Sequence, residues 1–270
     1  MVNKSQTFWE HLDELRASLI RIAMATIVFG IAAFLFKEEL FTIVLAPKND
    51  NFITYRVLQY IGNYFFPSAV TLGAFSVKLI NTGLAEQFII HMKVAMYTGF
   101  LCASPYILYL LFRFVSPALY ANEKKYTLRM VGGGYLLFII GTLMSYLLIF
   151  PLTFRFLGTY QVSDDVENMI TLQSYIDTLM MLSLMMGIVF EMPILCWLFA
   201  KFGFLSASFM RHYRRYAIVI ILVIAAVITP TADIFTLILV TLPMYLLYEI
   251  SILIVHRTIN KSLIVTNGYE

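Results

Sequence analysis

Charge is scarce in this 270-residue chain: Asp, Glu, Lys and Arg make up 13% of it, against 60% hydrophobic residues and a mean hydropathy of +0.82. Water-solvated domains carry about 25% charged residues, so a soluble globule is excluded. Cysteine is nearly absent. Cys102 and Cys196 lie inside apolar runs without metal-ligand spacing and read as small buried residues. The four histidines are widely scattered. No HExxH pair, GxSxG elbow or phosphate loop occurs, so no catalytic residue, metal or cofactor is expected. Pro/Ser/Gly-rich or charge-rich linkers, low-complexity stretches and internal repeats are also lacking, which points to one membrane domain over residues 1–270. Basic residues without a fold motif do not argue for nucleic acid.

Long apolar runs are what the sequence does have. About 20 residues of helix cross a hydrocarbon layer of ~30 Å, and six candidate spans fall at about 17–36, 88–114, 130–150, 172–200, 216–228 and 234–255. The fold class expected is all-α, polytopic and six-spanning. Residues 37–85 form a long loop, Pro105 interrupts the second run, Ser116-Pro117 ends it, and Pro151 is expected to close the third. The fifth run is short, reaching only ~20 Å at 1.5 Å per residue, and the sixth meets Pro243 and then Glu249. A short pair must thin the bilayer or lean on a partner. No persuasive small-x-small site follows the first run, which therefore reads as an uncleaved span.

Orientation follows from the basic residues. With the N-terminus inside, thirteen of the nineteen Lys and Arg fall in cytoplasmic segments, and most of the other six lie in or beside the long 37–85 loop. Both termini are thus expected in the cytoplasm.

Several acidic residues stand out against this background. In FWEHLDELRASLIR, Glu10 and Glu14 are one turn apart and repel, while Arg16 is two residues from Glu14 and does not face it. The segment 1–16 reads either as an interfacial amphipathic anchor or as an acidic surface open to a cationic ligand. Glu123, beside Lys124 and Lys125, is a screened surface group or a second acceptor on the same side. Glu191 in FEMPILCW lies ten residues, ~15 Å, from Lys201, near mid-bilayer. An ionisable group there costs at least ~2.5 kcal/mol and marks a functional site by default, and Pro193 loosens the helix beside it. Asp233 suits the start of the last helix, and Thr229, Thr231 and Thr236 cluster near it, either capping the hairpin or contacting another helix.

These stretches together resemble the TatC family of twin-arginine translocase subunits. The resemblance rests on HLDELRASL (11–19), LAP (45–47), ASPYILYLLFRFVSPALYANEKK (103–125), FPLTFRF (150–156), FEMP (190–193), and ITP with LPMYLLYEI (228–230 and 242–250), in family order over nearly the whole chain. It implies a concave, cup-like six-span fold in the bacterial inner membrane, without enzymatic turnover. It also implies recognition of twin-arginine signal peptides at the cytoplasmic face. Folded proteins would be exported using the proton-motive force, with TatA/TatB-type single-span partners and higher oligomers of the chain itself. By resemblance, Glu14, Glu123, Arg16 and Phe114 bind the signal peptide and Glu191 is the intramembrane polar site. Asp233, Thr229, Thr236, Pro47 and Glu249 dock partners or hold the structure. Asn122 stands where the family often has His, and Leu237 where a polar residue is common. The rival readings are an ion-coupled small-molecule transporter with Glu191 as carrier, which leaves the HLDELR segment unexplained, and a structural scaffold.

Overall fold

The computed structural model describes residues 8–65, 77–115, 127–163, 165, 168–229, 231 and 233–267. In chain order the elements are α1 (Phe8–Phe34), α2 (Lys37–Val44), a 3-10 turn (Ala46–Lys48), α3 (Ile53–Phe65), β1 (Leu79–Ile80), α4 (Glu86–Val115), α5 (Thr127–Met144), a π turn (Ser145–Ile149), α6 (Phe150–Thr159), β2 (Ile170–Thr171), α7 (Leu172–Val189), α8 (Met192–Lys201), α9 (Ala207–His212), α10 (Arg214–Ile228) and α11 (Ile234–Asn267). Among the described residues, five helical stretches are long and apolar enough to cross a membrane: Trp9–Phe34, Glu86–Phe114, Met130–Thr159, Leu172–Lys201 and Ile234–Thr258. The chain is an all-α polytopic membrane protein. Its contacts gather into two compact units, Met1–Phe41 with Gln87–Leu136, and Thr42–Glu86 with Leu137–Glu270.

In the first unit α1 is unbroken from Phe8, so the charged HLDEL segment forms the opening turns of the span's own helix. Its partner is α4, and small residues set their approach. Ala95, Gly99 and Ala103 recur every fourth residue of α4 and are buried. A Cβ placed on Gly99 would lie 2.5 Å from Gly30 N, 2.6 Å from Gly30 Cα and 2.7 Å from Thr26 O. The two backbones touch, as small residues allow where apolar burial drives nothing. Farther along, the Phe34 ring stacks on His91 with centroids 4.0 Å apart.

The second unit is organised by prolines and hydroxyls. Pro151 does not end the third span; α5 passes through the π turn into α6 and continues to Thr159. The wider turn gives the proline ring room against the preceding carbonyls. Lacking an N–H, Pro151 cannot serve Leu147 O four residues back, and Thr54 Oγ1 donates to that carbonyl instead. Three phenols then fasten the segment before α3. Tyr146 donates to Ile43 O (2.6 Å), Tyr175 to Val44 O (3.0 Å), and Tyr55 lies 3.1 Å from Pro47 O and 2.9 Å from Pro151 O. Burial pushes the Tyr55 phenol above its ordinary range, against the pull of the Arg155 guanidinium 5.2 Å from its ring, so it stays a donor. A parallel ladder, Leu79 opposite Ile170 and Ile80 opposite Thr171, carries the loop to the start of α7.

The fourth span breaks between α7 and α8. Gly203, at φ +77°, then ends α8, with Phe204 N–H donating to Phe199 O. α8 and α9 pack on the far part of α11 through Ala200, Ala207, Met210, Ile252 and Val255. α10 has only 15 residues, ~22 Å of helix, short of a bilayer core. Across this hairpin Arg214 bonds Glu249 at 2.6 Å, and Tyr245 donates to the other Glu249 oxygen at 3.1 Å.

Two outcomes follow from this packing. Gly99→Val should lower the thermal midpoint of the purified protein by an amount equivalent to about 1–3 kcal/mol of overpacking, whereas Gly132→Ala, whose Cβ meets nothing within 4 Å, should leave it unchanged. Tyr55→Phe strips a donor from buried carbonyls and should cost about 1–3 kcal/mol. Tyr60→Phe, at an exposed ring, should be neutral. Equal melting of either pair would contradict the packing described.

Candidate receptor and intramembrane sites

The inward stripe of α1 begins with His11, Glu14, Leu15 and Ser18, residues three and four apart on one face. The opposite face, with Asp13 and Arg16, is exposed. The His11 ring stacks on Phe114, in the last turn of α4, at 4.1 Å and 14°. One turn along, Glu14 is half-buried and its Oε2 has no hydrogen-bond partner among the described residues. The first unit therefore brings together Glu14 and Phe114 at the end of a two-helix seam, and turns Arg16 away from them. A carboxylate with a buried, unserved oxygen beside an aromatic ledge is an acceptor waiting for an outside donor. Glu123 lies outside the described residues.

In the second unit Glu191 sits at the break of the fourth span. Pro193, in the first turn of α8, cannot continue the ladder, and α7 stops at Val189. Glu191 O accepts from Ile194 N at 3.0 Å and Leu195 N at 3.1 Å, so its backbone starts the new helix. Its side chain is 9% exposed and Oε1 has no partner.

The remaining residues singled out from the sequence are structural in their contacts. Asp233 caps α11: Oδ1 accepts the Thr236 N–H at 2.7 Å. Burial pushes its carboxyl up, but the Thr236 amide, helped by the nearby Thr231 and Thr236 hydroxyls, prevails and holds it below the usual range. Thr229 and Thr236 are buried against the unit, not presented outward. Pro47 is buried with its carbonyl on Tyr55, and Glu249 is held by Arg214 and Tyr245. The sequence reading missed Thr54, Tyr55, Tyr146 and Tyr175. Pro151, which strands a carbonyl, was the one local signal that a donor had to come from elsewhere. Among the described residues no group of three or more His, Cys, Asp or Glu side chains could hold a metal ion.

Comparison with known proteins fits this architecture. The family described as "Sec-independent protein translocase protein (TatC)" matches residues 10–243. The TatC of Blattabacterium sp. subsp. Periplaneta americana is 35% identical over 92% of this chain and 94% of its own length. That of Aquifex aeolicus is 35% identical over 90% and 92%, and TatCy of Bacillus subtilis 32% over 94% and 90%. A crystal structure of the "Twin Arginine Translocase Receptor- TatC" superposes with a TM-score of 0.71 at 34% identity, covering 91% of this chain and 98% of that one. A second, in DDM, gives 0.72. The chain belongs to the TatC family of Sec-independent protein translocase proteins, multi-pass components of the bacterial inner membrane that serve transport and are not enzymes.

Proposed function

We propose that this chain is the receptor subunit that binds twin-arginine signal peptides at the cytoplasmic face and, with TatA- and TatB-type single-span partners, exports folded proteins at the expense of the proton-motive force. The observation that carries the reading is Glu14: half-buried, with Oε2 unserved, one turn from the His11–Phe114 stack. A guanidinium presents a planar fork of donors that meets a carboxylate bidentately, while an ammonium offers a point charge. An aromatic ledge adds a face on which a guanidinium stacks. Two adjacent arginines call for two acceptors, and Glu123, from the segment after α4, is the second in this proposal. Both termini lie inside, and the short α10 is the fifth of six spans.

The partner site proposed is the outward side of the α10–α11 hairpin. A shallow apolar groove of about 380 Å³ runs there between Ile218, Leu222, Ile238, Leu242 and Leu246. α10, too short for the bilayer core beside the membrane-length α11, relieves its mismatch by association. This surface, not the buried Thr229 and Thr236, is where a single-span helix would lie.

Glu14→Lys should weaken binding of a purified twin-arginine signal peptide at least about tenfold, ~1.4 kcal/mol, with an unchanged melting temperature; Glu123→Lys should do the same. Affinity that survived both reversals would refute the receptor reading. A photo-crosslinker at Leu242 should capture a single-span partner in membranes, and one at exposed Tyr60 should not; the reverse pattern would move the docking site elsewhere.

A further inference from the structure

Most hydroxyls with a recorded bond inside the spans close on their own helix. Thr98 donates to Val94 O at 2.9 Å, Thr241 to Leu237 O at 2.7 Å, Ser251 to Leu247 O at 2.7 Å and Thr258 to Ile254 O at 2.8 Å. Back-bonding of this kind satisfies the group without outside help. Thr142, Ser145 and Ser183 depart from it. They are 8%, 0% and 2% exposed, and none has a hydrogen-bond partner among the described residues.

These three are neighbours. A Cβ on Gly187 would lie 2.8 Å from Thr142 Oγ1, and one on Gly141 would lie 2.6 Å from Met186 O and 2.7 Å from Phe190 Cγ. At the other end Phe150 and Phe154 meet Tyr175 at 5.0 and 4.9 Å, so the third and fourth spans run antiparallel. In that register Ser145, a turn beyond Thr142, is level with Ser183, a turn before Gly187. One turn past Gly187 in the other direction stands Glu191, with Oε1 buried and unserved.

The row points toward a cavity. Between α6 and α7 lies a space of about 210 Å³ lined by Phe150, Thr153, Ser174, Tyr175, Thr178 and Thr231. Thr153 contributes a buried hydroxyl without a partner among the described residues. Thr178 is five residues, ~7.5 Å, from Ser183, and Ile149, Phe150, Leu179 and Leu182 fill the interval with fully or almost fully buried apolar groups.

We propose that Ser183, Ser145 and Thr142, bridged by bound water, form a proton relay joining this cavity to the carboxylate of Glu191. At each hydroxyl or water one O–H bond forms as another breaks, no electrons change hands, and the proton ends on Glu191, cancelling its charge. The apolar interval makes the relay a closed one that conducts when water enters it. Ser145 lies in the π turn, where an extra residue per turn gives the hydroxyl a position a regular helix would not. The relay stands without the export reading.

The test is the rate at which the protonated Glu191 carboxyl exchanges with D2O, followed by its infrared carbonyl band in the full-length protein in liposomes. Glu191→Gln identifies the band by removing it. The triple variant Thr142→Val, Ser145→Ala, Ser183→Ala should slow exchange at least about tenfold. Ser183→Ala alone should slow it measurably, covering the case in which the triple variant misfolds. Ser183→Thr should retain the rate, and so should Thr98→Val, which removes a back-bonded hydroxyl. Exchange at the wild-type rate in folded Ser183→Ala and triple variants, or the absence of any Glu191-sensitive band, overturns the relay. No signal peptide or partner takes part, so that failure would leave the receptor reading standing, and failure of the Glu14 measurement would leave the relay standing.

Discussion

Hydrocarbon offers no hydrogen bonds, so every carbonyl or hydroxyl freed within a span has to be served from inside the protein. Prolines in the spans create this debt at defined positions. Pro105 withdraws the amide that would serve Leu101 O, and the adjacent Ser104 hydroxyl donates to that oxygen at 2.6 Å. Pro151 withdraws the one for Leu147 O, and the donor there, Thr54, comes from 93 residues away. The first solution is local and lets α4 run on. The second is long-range, and it is what pulls the segment between α2 and α3 onto the third and fourth spans. Tyr55, Tyr146 and Tyr175 complete the attachment by serving carbonyls of residues 43–47. A proline in one helix thereby fixes the course of a loop distant in sequence.

Close backbone contact does for the first unit what hydroxyls do for the second. Because α1 and α4 touch at Gly30 and Gly99, their register is set there. A little over four turns back along α1 is Glu14, and a little over four turns onward along α4 is Phe114. In antiparallel helices equal distances from one crossing end level with each other. The candidate receptor surface is thus positioned by a glycine contact over 20 Å away, and His11 stacked on Phe114 seals the end of that seam.

How much of this could be read in advance depends on the range of the interaction. Of the six spans expected from apolar runs, five coincide with membrane-length helices, because hydropathy is a local sum. The break at Glu191 was legible for the same reason: a glutamate and a proline two residues apart disturb a span wherever it packs. Continuation through Pro151 was not legible, since it depends on a π turn and on Thr54. Nor was the inward turn of Thr229 and Thr236, because a threonine near a hairpin caps or docks according to neighbours the local sequence does not specify. The tyrosine–carbonyl pairs were invisible in principle. A backbone carbonyl has no residue identity, so nothing at Ile43 or Val44 announces that a phenol is coming. Glu123, outside the described residues, stays where the family resemblance put it.

Glu14 and Glu191, each with a carboxylate oxygen unserved among the described residues, differ in what can reach them. Glu14 is on a helix end, half-exposed, with an aromatic ring one turn away, so a group as large as a guanidinium has access and a flat surface to lie against. Glu191 is nine-tenths buried at a helix break, with hydroxyls the nearest polar groups along its helix pair. Only something the size of water or a proton gets there without moving a span. Under the two proposals the same side-chain chemistry answers to different ligands, and burial decides which: an organic cation at the open helix end, a proton at the closed one. A charge at Glu191 is costly without a partner of its own, so a helix that approached with a hydrogen-bond donor would favour the ionised carboxylate, and one with an acceptor the protonated form. The proton on Glu191 and the polar group that meets it are thereby linked, each shifting the other's occupancy by the same factor.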